Sequence, residues 1–377
     1  MIKVLLLIDY SSEFDRKLLR GLVRYSKEYG PWIFYRLPSY YTSLYGSEGV
    51  IKWAKKWQAD AIIGQWDIES VPQLEELQIP IVLQNYHNRS SKYSNLTGDY
   101  KKTGQMAAWY FASRNYQNFA YFGVQGVVWS DEREEGFRQE VVRQGGKYFS
   151  FELEKDSEDD RELIMQWLQE LPKPLAMFCC DDAHALFISE TCKICNIAIP
   201  DDIALLGVDN DELICNISDP PISSIELEVE MGGYMLGKLL HQRINKEETD
   251  TFNIVINPTR IETRLSTDKY DINDPSVRWM VKYIETHFKE ELNIEKLISQ
   301  VPLSRRNFEL KFRKYTHTSP YQFLLQCRVD CLAKLLHTTD RLLPELAAEA
   351  GFHETNFARV FKKFKGCAPS EYREVHT

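Results

Sequence analysis

Residues 199–210 read IPDDIALLGVDN, a short apolar run that ends in two polar residues. The run Ile203–Val208 has the length and composition of a buried β-strand. Asp209 and Asn210 follow directly at its carboxyl end. Ligands of open α/β sheets bind beyond the carboxyl ends of the strands, so these two positions are the first candidates for a binding site.

The same alternation of short apolar runs and longer amphipathic segments extends over roughly the first 260 residues. The predicted strands are Lys3–Ile8, Ala61–Gly64, Ile79–Gln84, Phe119–Phe122, Leu175–Cys179 and Ile203–Val208. The predicted helices are Arg16–Tyr29, Glu48–Gln58, Thr103–Arg114, Arg133–Gln144, Asp160–Glu170 and Asp182–Cys195. Strands that alternate with helices in this way predict an α/β fold of parallel sheets with helices on both faces.

Polar and aromatic side chains follow five of the predicted strands. They are Asp9, Trp66, Asp67, Asn85, Tyr86, His87, Asp181 and Asp209. Carboxylates and amides bind hydroxyl groups, and an aromatic ring stacks on the apolar face of a sugar, so the set predicts a neutral polyhydroxyl ligand. Two alternatives remain for individual residues: Asp and Asn cap the helices that follow, and Trp66 belongs to the core.

Arg133 stands at the start of the predicted helix Arg133–Gln144, where a positive charge opposes the helix dipole. A residue placed against this preference indicates a partner. That partner is either the ligand or one of the adjacent carboxylates, Asp131 and Glu132.

The charge of the chain is divided unevenly along its length. The 377 residues carry a formal net charge of −9, and 44% of them are hydrophobic, a composition that excludes a disordered or disulfide-stapled chain. Residues 271–377 hold 17 Lys and Arg against 14 Asp and Glu, a net charge of +3, so the remainder carries −12. The chain therefore does not coat nucleic acid along its whole length, whereas its basic end suits that role.

The cysteines and the apolar runs bear on the compartment. The 8 cysteines form no regular framework, and no apolar run approaches the ~20 residues that cross a bilayer. The first apolar run, Val4–Ile8, is short and has no cleavage pattern behind it, so a signal peptide is not expected. We therefore expect a reduced, cytoplasmic protein that has no membrane partner.

Metal and cofactor chemistry is not favoured by the sequence. Cys179, Cys180, Cys192 and Cys195 offer sulfur ligands for zinc, but their positions at a strand end and within a helix favour buried small residues. No phosphate-cradling glycine-rich loop is present. We expect neither a metal nor a cofactor.

The last hundred residues read as a series of short helices after a polar linker. The predicted helices are Val277–His287, Ile294–Gln300, Arg305–Tyr315, Pro320–His337, Leu343–Ala350 and Thr355–Phe364. Two pairs of them have the form of helix-turn-helix modules. In the first, Ser304 caps a helix that turns Phe308 and Phe312 inward and Arg305, Arg306 and Arg313 outward.

In the second module, Pro344 starts the first helix and Gly351 makes the turn. The next helix ends in Arg359, Lys362 and Lys363. Basic side chains on short exposed helices suit the phosphates and base edges of double-stranded DNA. The alternative is that these charges only solvate a helical face.

Four segments carry a resemblance to a known family. Residues 97–104 (TGDYKKTG), 131–137 (DEREEGF), 199–210 (IPDDIALLGVDN) and 264–267 (RLST) resemble landmarks of the periplasmic-binding-protein-like effector domain of LacI-type regulators. The resemblance covers residues 2–267. It implies two lobes that exchange the chain near Tyr116, Ser218–Ser224 and Asn257, with a sugar held between them.

The same resemblance implies roles for individual residues. Arg133 and Asp209 bind sugar hydroxyls, and Asp99 and Asp181 assist them. Phe14 joins the pocket on the same resemblance, beside the strand-end residues Asp9 and Trp66. Cys180 stands where the family often has Asn.

The C-terminal segment is similar to AraC-type DNA-binding domains. The similarity is carried by residues 304–312 (SRRNFELKF), 346–352 (LAAEAGF) and 357–373 (FARVFKKFKGCAPSEYR). It implies that His353, Glu354, Thr355 and Asn356 face the bases. His317 and Leu332 depart from the Gly and Ala that the family pattern has. The segment between Gly351 and Phe361 is one residue shorter than that pattern, which leaves the register against the bases open.

Together the two resemblances predict a sugar-responsive transcription regulator. Its predicted parts are a LacI-type domain at 1–267, a linker at 268–275 and an AraC-type domain at 276–377. The domain order resembles that of pentose-operon activators and implies xylose or a related pentose as effector. The expected partners are double-stranded DNA, a second copy of the chain and RNA polymerase. The alternative is a sugar-processing enzyme or sugar-binding protein with a helical appendage, in which Asp9, Asp181 and Asp209 are candidate catalytic carboxylates.

Overall fold

Two six-stranded sheets and a helical C-terminal unit make up the protein in a computed structural model. The structure describes residues 1–8, 11–37, 39–66, 71–84, 88–153, 161–247, 252–268, 272, 274–339, 341–352 and 357–376. The chain divides into two units, Met1–Lys269 and Tyr270–Thr377.

The strands all lie in the first unit, within the described residues. They are β1 (Ile2–Leu7), β2 (Trp32–Arg36), β3 (Ala61–Gly64), β4 (Ile81–Leu83), β5 (Ser94–Gly98), β6 (Asn118–Val124), β7 (Lys147–Leu153), β8 (Leu175–Cys179), β9 (Ile203–Val208), β10 (Ser223–Leu227), β11 (Ile254–Ile256) and β12 (Pro258–Glu262). The helices of this unit are α1 (Glu13–Tyr29), α2 (Ser39–Trp57), α3 (Val71–Leu74), α4 (Tyr100–Ala112), α5 (Val128–Arg143), α6 (Arg161–Glu170), α7 (Asp182–Ile194), α8 (Glu212–Ile217) and α9 (Val229–Ile244).

The first lobe is built on the sheet β11-β5-β4-β3-β1-β2, in which every pair is parallel. Alternate residues of β1 point to opposite faces. Leu6 packs with Leu18 of α1, whereas Leu5 packs with Val50 of α2. A strand covered on both faces has to be apolar throughout, which explains the unbroken run that the sequence shows.

The second lobe is built on the sheet β12-β10-β9-β8-β6-β7, in which β12 is antiparallel to β10 and the other pairs are parallel. Phe178 of β8 packs with Phe137 of α5, and its neighbour Met177 packs with Ile188 of α7. Helices therefore cover both faces of this sheet as well. The predicted α/β fold of parallel sheets is confirmed.

The chain passes between the lobes at Gly98–Tyr100, Leu227–Val229 and Asn257. The expected crossing at Asn257 is confirmed, but those near Tyr116 and Ser218–Ser224 are wrong. Helices α4 and α9 each pack against a helix of the lobe that they enter, so the chain changes lobe before these helices and not beside the following loops. The helix pairs approach closely: a Cβ on Gly104 of α4 would lie 2.1 Å from the Arg133 carbonyl oxygen.

Several strands escape prediction because their sequences are not apolar runs. β5 reads SNLTG, and its buried Asn95 is hydrogen-bonded to Ser90 and Asn253. β2 (WIFYR) and β7 (KYFSFEL) are edge strands that are rich in aromatic residues but only partly buried. Helix α2 begins at Ser39, nine positions before the predicted start, and it breaks at Gly46, where φ is 57°.

The second unit contains α10 (Pro275–His287), α11 (Ile294–Ile298), α12 (Arg305–Thr316), α13 (Pro320–Thr338), α14 (Leu343–Glu349), α15 (Phe357–Lys365) and α16 (Pro369–His376). Two apolar clusters hold these helices. One unites α10–α12 with the first half of α13 through Phe323 and Leu324. The other unites α14–α16 with the second half of α13 through Leu332 and Leu336.

The two predicted helix-turn-helix modules are confirmed as α11–α12 and α14–α15. Gly351 lies in the second turn with φ at 87°, and a Cβ there would lie 2.6 Å from the Phe288 carbonyl oxygen. Among the described residues, no helix is long and apolar enough to cross a membrane.

Candidate functional site

Arg133 lies inside the second lobe and is 3% exposed. Its helix α5 begins at Val128, so the interpretation of Arg133 as the first residue of a helix, opposed by the dipole, is wrong. The guanidinium lies over the ring of Tyr100 at 5.4 Å and over that of Trp129 at 5.5 Å. It also donates a hydrogen bond to the Cys180 carbonyl oxygen. Aromatic rings and a carbonyl thus hold the cation in place.

Asp209 faces Arg133, with 3.7 Å between Asp209 Oδ1 and Arg133 Nη2. Asp209 Oδ1 and Arg133 Nε are buried, and neither has a hydrogen-bond partner among the described residues. Buried polar atoms in native proteins nearly always have partners. The backbone of Asp209 has φ at 97°, an unusual conformation for a residue with a side chain, and such strain concentrates at functional sites.

The carboxylates around this pair differ in how far their pKa values are shifted. Burial raises the pKa of Asp209 to about 6, although Arg133 acts to lower it. Burial, together with the nearby Asp209 carboxylate, raises the pKa of Asp182 well above its usual range. Asp182 is 2% exposed and accepts a hydrogen bond from the Asp211 backbone N–H at 2.8 Å. A low pKa is retained only where a partner compensates for burial.

Asp181 has such a partner in His184. Asp181 Oδ1 accepts from the His184 backbone N–H at 2.8 Å and lies 2.7 Å from His184 Nδ1. Burial would raise the pKa of Asp181, but the hydrogen bonds with His184 outweigh it and lower that pKa. Asp181 caps α7 and Asp99 caps α4, where it accepts from the Lys102 N–H at 3.2 Å. The capping interpretation therefore holds for both residues; Asp209 does not cap α8, because Asp211 does.

The structure brings Arg133, Asp181 and Asp209 together, whereas Asp99, Phe14 and Trp66 interact with other residues. Phe14, in the first turn of α1, is partly buried against the core. Trp66 is 8% exposed and packs with Leu5 and Leu74, which favours the core interpretation. Asp9, Asp67, Asn85, Tyr86 and His87 lie outside the described residues.

Charged side chains connect the two lobes beside this pair, and the sequence does not reveal them. Lys17 of α1 donates from Nζ to the Asp209 carbonyl oxygen and to Glu226 Oε1, both at 2.8 Å. Arg16 Nη2 donates to Asp211 Oδ2 at 3.1 Å. No local pattern distinguishes these positions from other charges on an exposed helix.

Sequence analysis does not identify Arg264 as a site residue, although Arg264 opens the segment RLST, one of the four that carry the family resemblance. Its Nη2 donates to Asn210 Oδ1 at 2.7 Å and its Nη1 to the Ile222 carbonyl oxygen at 2.9 Å. Arg264 thereby fixes the residue that follows Asp209.

We call α12 and α15, the second helix of each module in the second unit, the reading helices. In α12, Ser304 caps the helix, Phe308 and Phe312 are buried, and Arg306 and Arg313 are exposed, as predicted. Arg305 is exposed too, but its side chain pairs with Glu295 at 2.9 Å and with Glu309 at 3.0 Å. Among the described residues, Arg306 and Arg313 form no ion pair.

The helix α15 has Arg359, Lys362 and Lys363 exposed, three and four residues apart, which places them on one face. Lys365 is occupied by Asp330 of α13 at 2.9 Å. His353, Glu354, Thr355 and Asn356 lie outside the described residues. Each reading helix therefore carries exposed cations on a buried, aromatic support.

Known proteins match the chain in two places and along its whole length. The model of the periplasmic binding protein-like domain matches residues 108–267, and that of a helix-turn-helix domain matches residues 297–374. The xylose operon regulatory protein of Escherichia coli K12 is 26% identical over 100% of this chain and 97% of its own. That of Haemophilus influenzae is 25% identical over 98% of both. The solved structure of a xylose-binding transcription activator, XylR, aligns over 100% of this chain and 98% of its own with a TM-score of 0.61 and 24% identity.

The fold, the paired modules and these matches define a class. The chain is a transcription regulator in which a periplasmic binding protein-like domain precedes a helix-turn-helix DNA-binding domain. It is not an enzyme, because its relatives over the full length are regulators. Within the class, it is similar over its full length to the xylose operon regulatory proteins of two bacteria.

Proposed function

We propose that the first unit binds xylose or a related pentose between its lobes and thereby controls an activator of a pentose-catabolic operon. Arg133 and Asp209 bind the sugar hydroxyls directly, and Asp181 and Asp99 assist them. Asp9 joins the pocket, and Phe14 and Trp66 support it from the core against which they pack. The relatives that match this chain over its full length are regulators named for a xylose operon, which supports a pentose as the effector.

The observation that carries this proposal is the Arg133–Asp209 pair. Each residue has a buried polar atom, Nε in Arg133 and Oδ1 in Asp209, that lacks a hydrogen-bond partner within the described part of the chain. An unsatisfied buried polar group costs about 1–3 kcal/mol of free energy, and more if it is charged. A ligand that supplies hydrogen bonds to both atoms removes this cost. A sugar hydroxyl donates to the carboxylate and accepts from the guanidinium in one step, which satisfies both atoms.

Lys17 supports a route from the sugar to the relative position of the lobes. It belongs to α1 of the first lobe and holds the Asp209 carbonyl oxygen and Glu226 of the second. A sugar bound at Asp209 therefore acts next to a bridge between the lobes. Such a ligand shifts the closed state only by its differential affinity for the two states, typically about 1–3 kcal/mol.

The second unit supplies DNA binding in this proposal. The exposed cations Arg305, Arg306 and Arg313 of α12 and Arg359, Lys362 and Lys363 of α15 contact double-stranded DNA, with His353, Glu354, Thr355 and Asn356 facing bases. The boundaries 1–267, 268–275 and 276–377 separate sensor, linker and reader. The regulator works in the cytoplasm as a homodimer that contacts RNA polymerase at the promoter.

Calorimetric titration of the full chain with xylose, ribose, arabinose and glucose tests the proposal. We expect xylose or an epimer to bind and Asp209→Ala to lose that binding. Asp219→Ala is the matched control, because the Asp219 side chain is 92% exposed. Unchanged sugar affinity in Asp209→Ala would overturn the pocket. Binding of glucose but of no pentose would overturn the effector class.

A further inference from the structure

A cysteine, a carboxylate and a histidine converge at the start of α7. The Cys180 sulfur, one Asp181 carboxylate oxygen and one His184 ring nitrogen all lie within 4.8 Å of one another. Cys180 and Asp181 end the loop after β8, and His184 lies one turn into α7, so the backbone itself brings the three together. We propose that Cys180, Asp181 and His184 form a binding site for a thiophilic divalent metal ion, Zn²⁺.

The donor set fits Zn²⁺ in type and number. Thiolate, imidazole and carboxylate are its common protein ligands, and three protein ligands with a fourth position left for water are typical of open zinc sites. The thiolate selects Zn²⁺ over Mg²⁺ and Ca²⁺, which prefer oxygen ligands. The Asp181–His184 hydrogen bond of 2.7 Å has to open by small side-chain rotations for both atoms to reach one ion.

The ion can reach the site from solvent. The side chains of Asp181 and His184 are 21% and 23% exposed, although Cys180 is buried. Cys180 and His184 each lose a proton when they bind the metal, because burial lowers the pKa of His184 but Cys180 and Asp181 raise it to about 11. The fully bound site then holds two negative ligands and one neutral one around the dication. The neighbouring Arg133 opposes the added charge, and the Asp209 carboxylate beside it offsets that effect.

The cysteine that precedes Cys180 provides a matched control. Cys179 is buried to the same extent, but it packs in the cluster between β8 and α7, on the opposite face of the sheet from Cys180. Alternate residues of a strand point to opposite faces, so Cys179 is excluded from the site by geometry although it is adjacent in sequence.

Titration of the full chain with Co²⁺ in a non-chelating reductant tests the proposal without any sugar, so the outcome does not depend on the proposed function. We expect a thiolate-to-cobalt charge-transfer band that Zn²⁺ displaces. Cys180→Ser removes the band, Cys179→Ser retains it, and His184→Gln weakens Co²⁺ binding at least ~10-fold. Because His184 is partly exposed, His184→Gln keeps the test valid if Cys180→Ser fails to fold.

Four results would overturn the site. Three of them are the absence of a thiolate band in the wild-type protein at saturating Co²⁺, equal loss of the band in both cysteine variants, and an unchanged Co²⁺ affinity in His184→Gln. Retention of the band in a folded Cys180→Ser protein would assign the metal to other cysteines and would overturn it as well.

Discussion

The cleft of the first unit and the reading helices of the second both depend on charged side chains, but in opposite environments. Arg133 is buried and Asp209 is half-buried with its Oδ1 enclosed, so their charges act over short distances with little screening by salt. Arg306, Arg359 and Lys363 stand in solvent, where a single charge contributes little until a phosphate approaches. Recognition in the cleft therefore depends on geometry, whereas on the reading helices it depends on the number and spacing of the charges.

The largest effect is expected from Arg133→Met in the cleft. This change leaves Asp209 buried without its counter-charge, and breaking a buried pair costs about 3–5 kcal/mol. We expect loss of sugar binding in calorimetry, while DNA retention in a gel-shift experiment without sugar stays normal. Arg138→Met on the same helix is the control, because its side chain is 49% exposed. Normal sugar affinity in Arg133→Met would remove the distinction drawn between the two environments.

A smaller effect is expected from Arg359→Ala on the reading helix α15. Loss of a phosphate or base contact costs about 1–3 kcal/mol and lowers the salt slope of DNA binding by about one. Fluorescence anisotropy of promoter DNA at several salt concentrations measures both quantities. Lys282→Ala on α10 removes an equally exposed cation outside the two modules and should change neither. A weakened affinity with an unchanged salt slope would contradict the assigned contact.

The next largest effect is expected from acidification, which should weaken sugar binding in the cleft. The pKa of Asp209 is raised by burial to about 6, with Arg133 and Lys17 acting to lower it and Asp181 and Asp211 to raise it. A raised pKa means that the contribution of Asp209 to stability is greatest below its ordinary pKa and is lost as the pH rises through about 6. Sugar affinity has the opposite sign, because hydroxyls donate to the ionised carboxylate.

We therefore expect sugar affinity to fall up to about tenfold per pH unit below 6. Calorimetry at pH 5, 6 and 7, in buffers of different ionisation enthalpy, should detect proton release on binding near pH 6. Asp209→Asn should bind weakly and without this pH dependence. A flat affinity in the wild-type protein would show that the carboxylate is already ionised throughout the range.

The smallest effect is expected at His317, which ends α12 in the left-handed conformation with φ at 57°. His317→Gly relieves the backbone penalty and should stabilise the second unit by about 0.5–1 kcal/mol, read from denaturant unfolding. Lys314→Gly inside the same helix should destabilise by about 1 kcal/mol. Destabilisation by both would mean that the His317 side chain makes a contribution that outweighs the strain.

Sequence alone predicts the strands that are continuous apolar runs and the helices that are amphipathic and capped. β3, β8 and β9 have the predicted bounds, and Ser304, Phe308 and Phe312 have the predicted roles. β5 escaped because its buried Asn95 is satisfied by hydrogen bonds to Ser90, to Tyr93 and to Asn253, which is 158 positions away. A local sequence pattern does not reveal a hydrogen-bond partner that is so distant along the chain.

Sequence analysis identified the site residues that directly follow a strand. It missed the residues whose contacts form only where the two lobes meet. Asp181 and Asp209 follow strands directly, and the structure places them beside Arg133. Lys17 and Glu226 are ordinary surface charges until α1 and β10 meet. The same reasoning explains why the crossings near Tyr116 and Ser218–Ser224 were wrong: the glycine contacts that seat α4 on α5 are tertiary.

The helix α13 has 19 residues and serves both apolar clusters of the second unit. At 1.5 Å per residue it is about 28 Å long, a rigid strut between the two modules. Adjacent major-groove openings on one side of straight DNA are about 34 Å apart. In the proposed complex with DNA, this fixed length sets the spacing between the two modules, and it is shorter than the spacing of major grooves on straight DNA. One base pair inserted between the subsites should therefore weaken binding more than any single substitution within one of them.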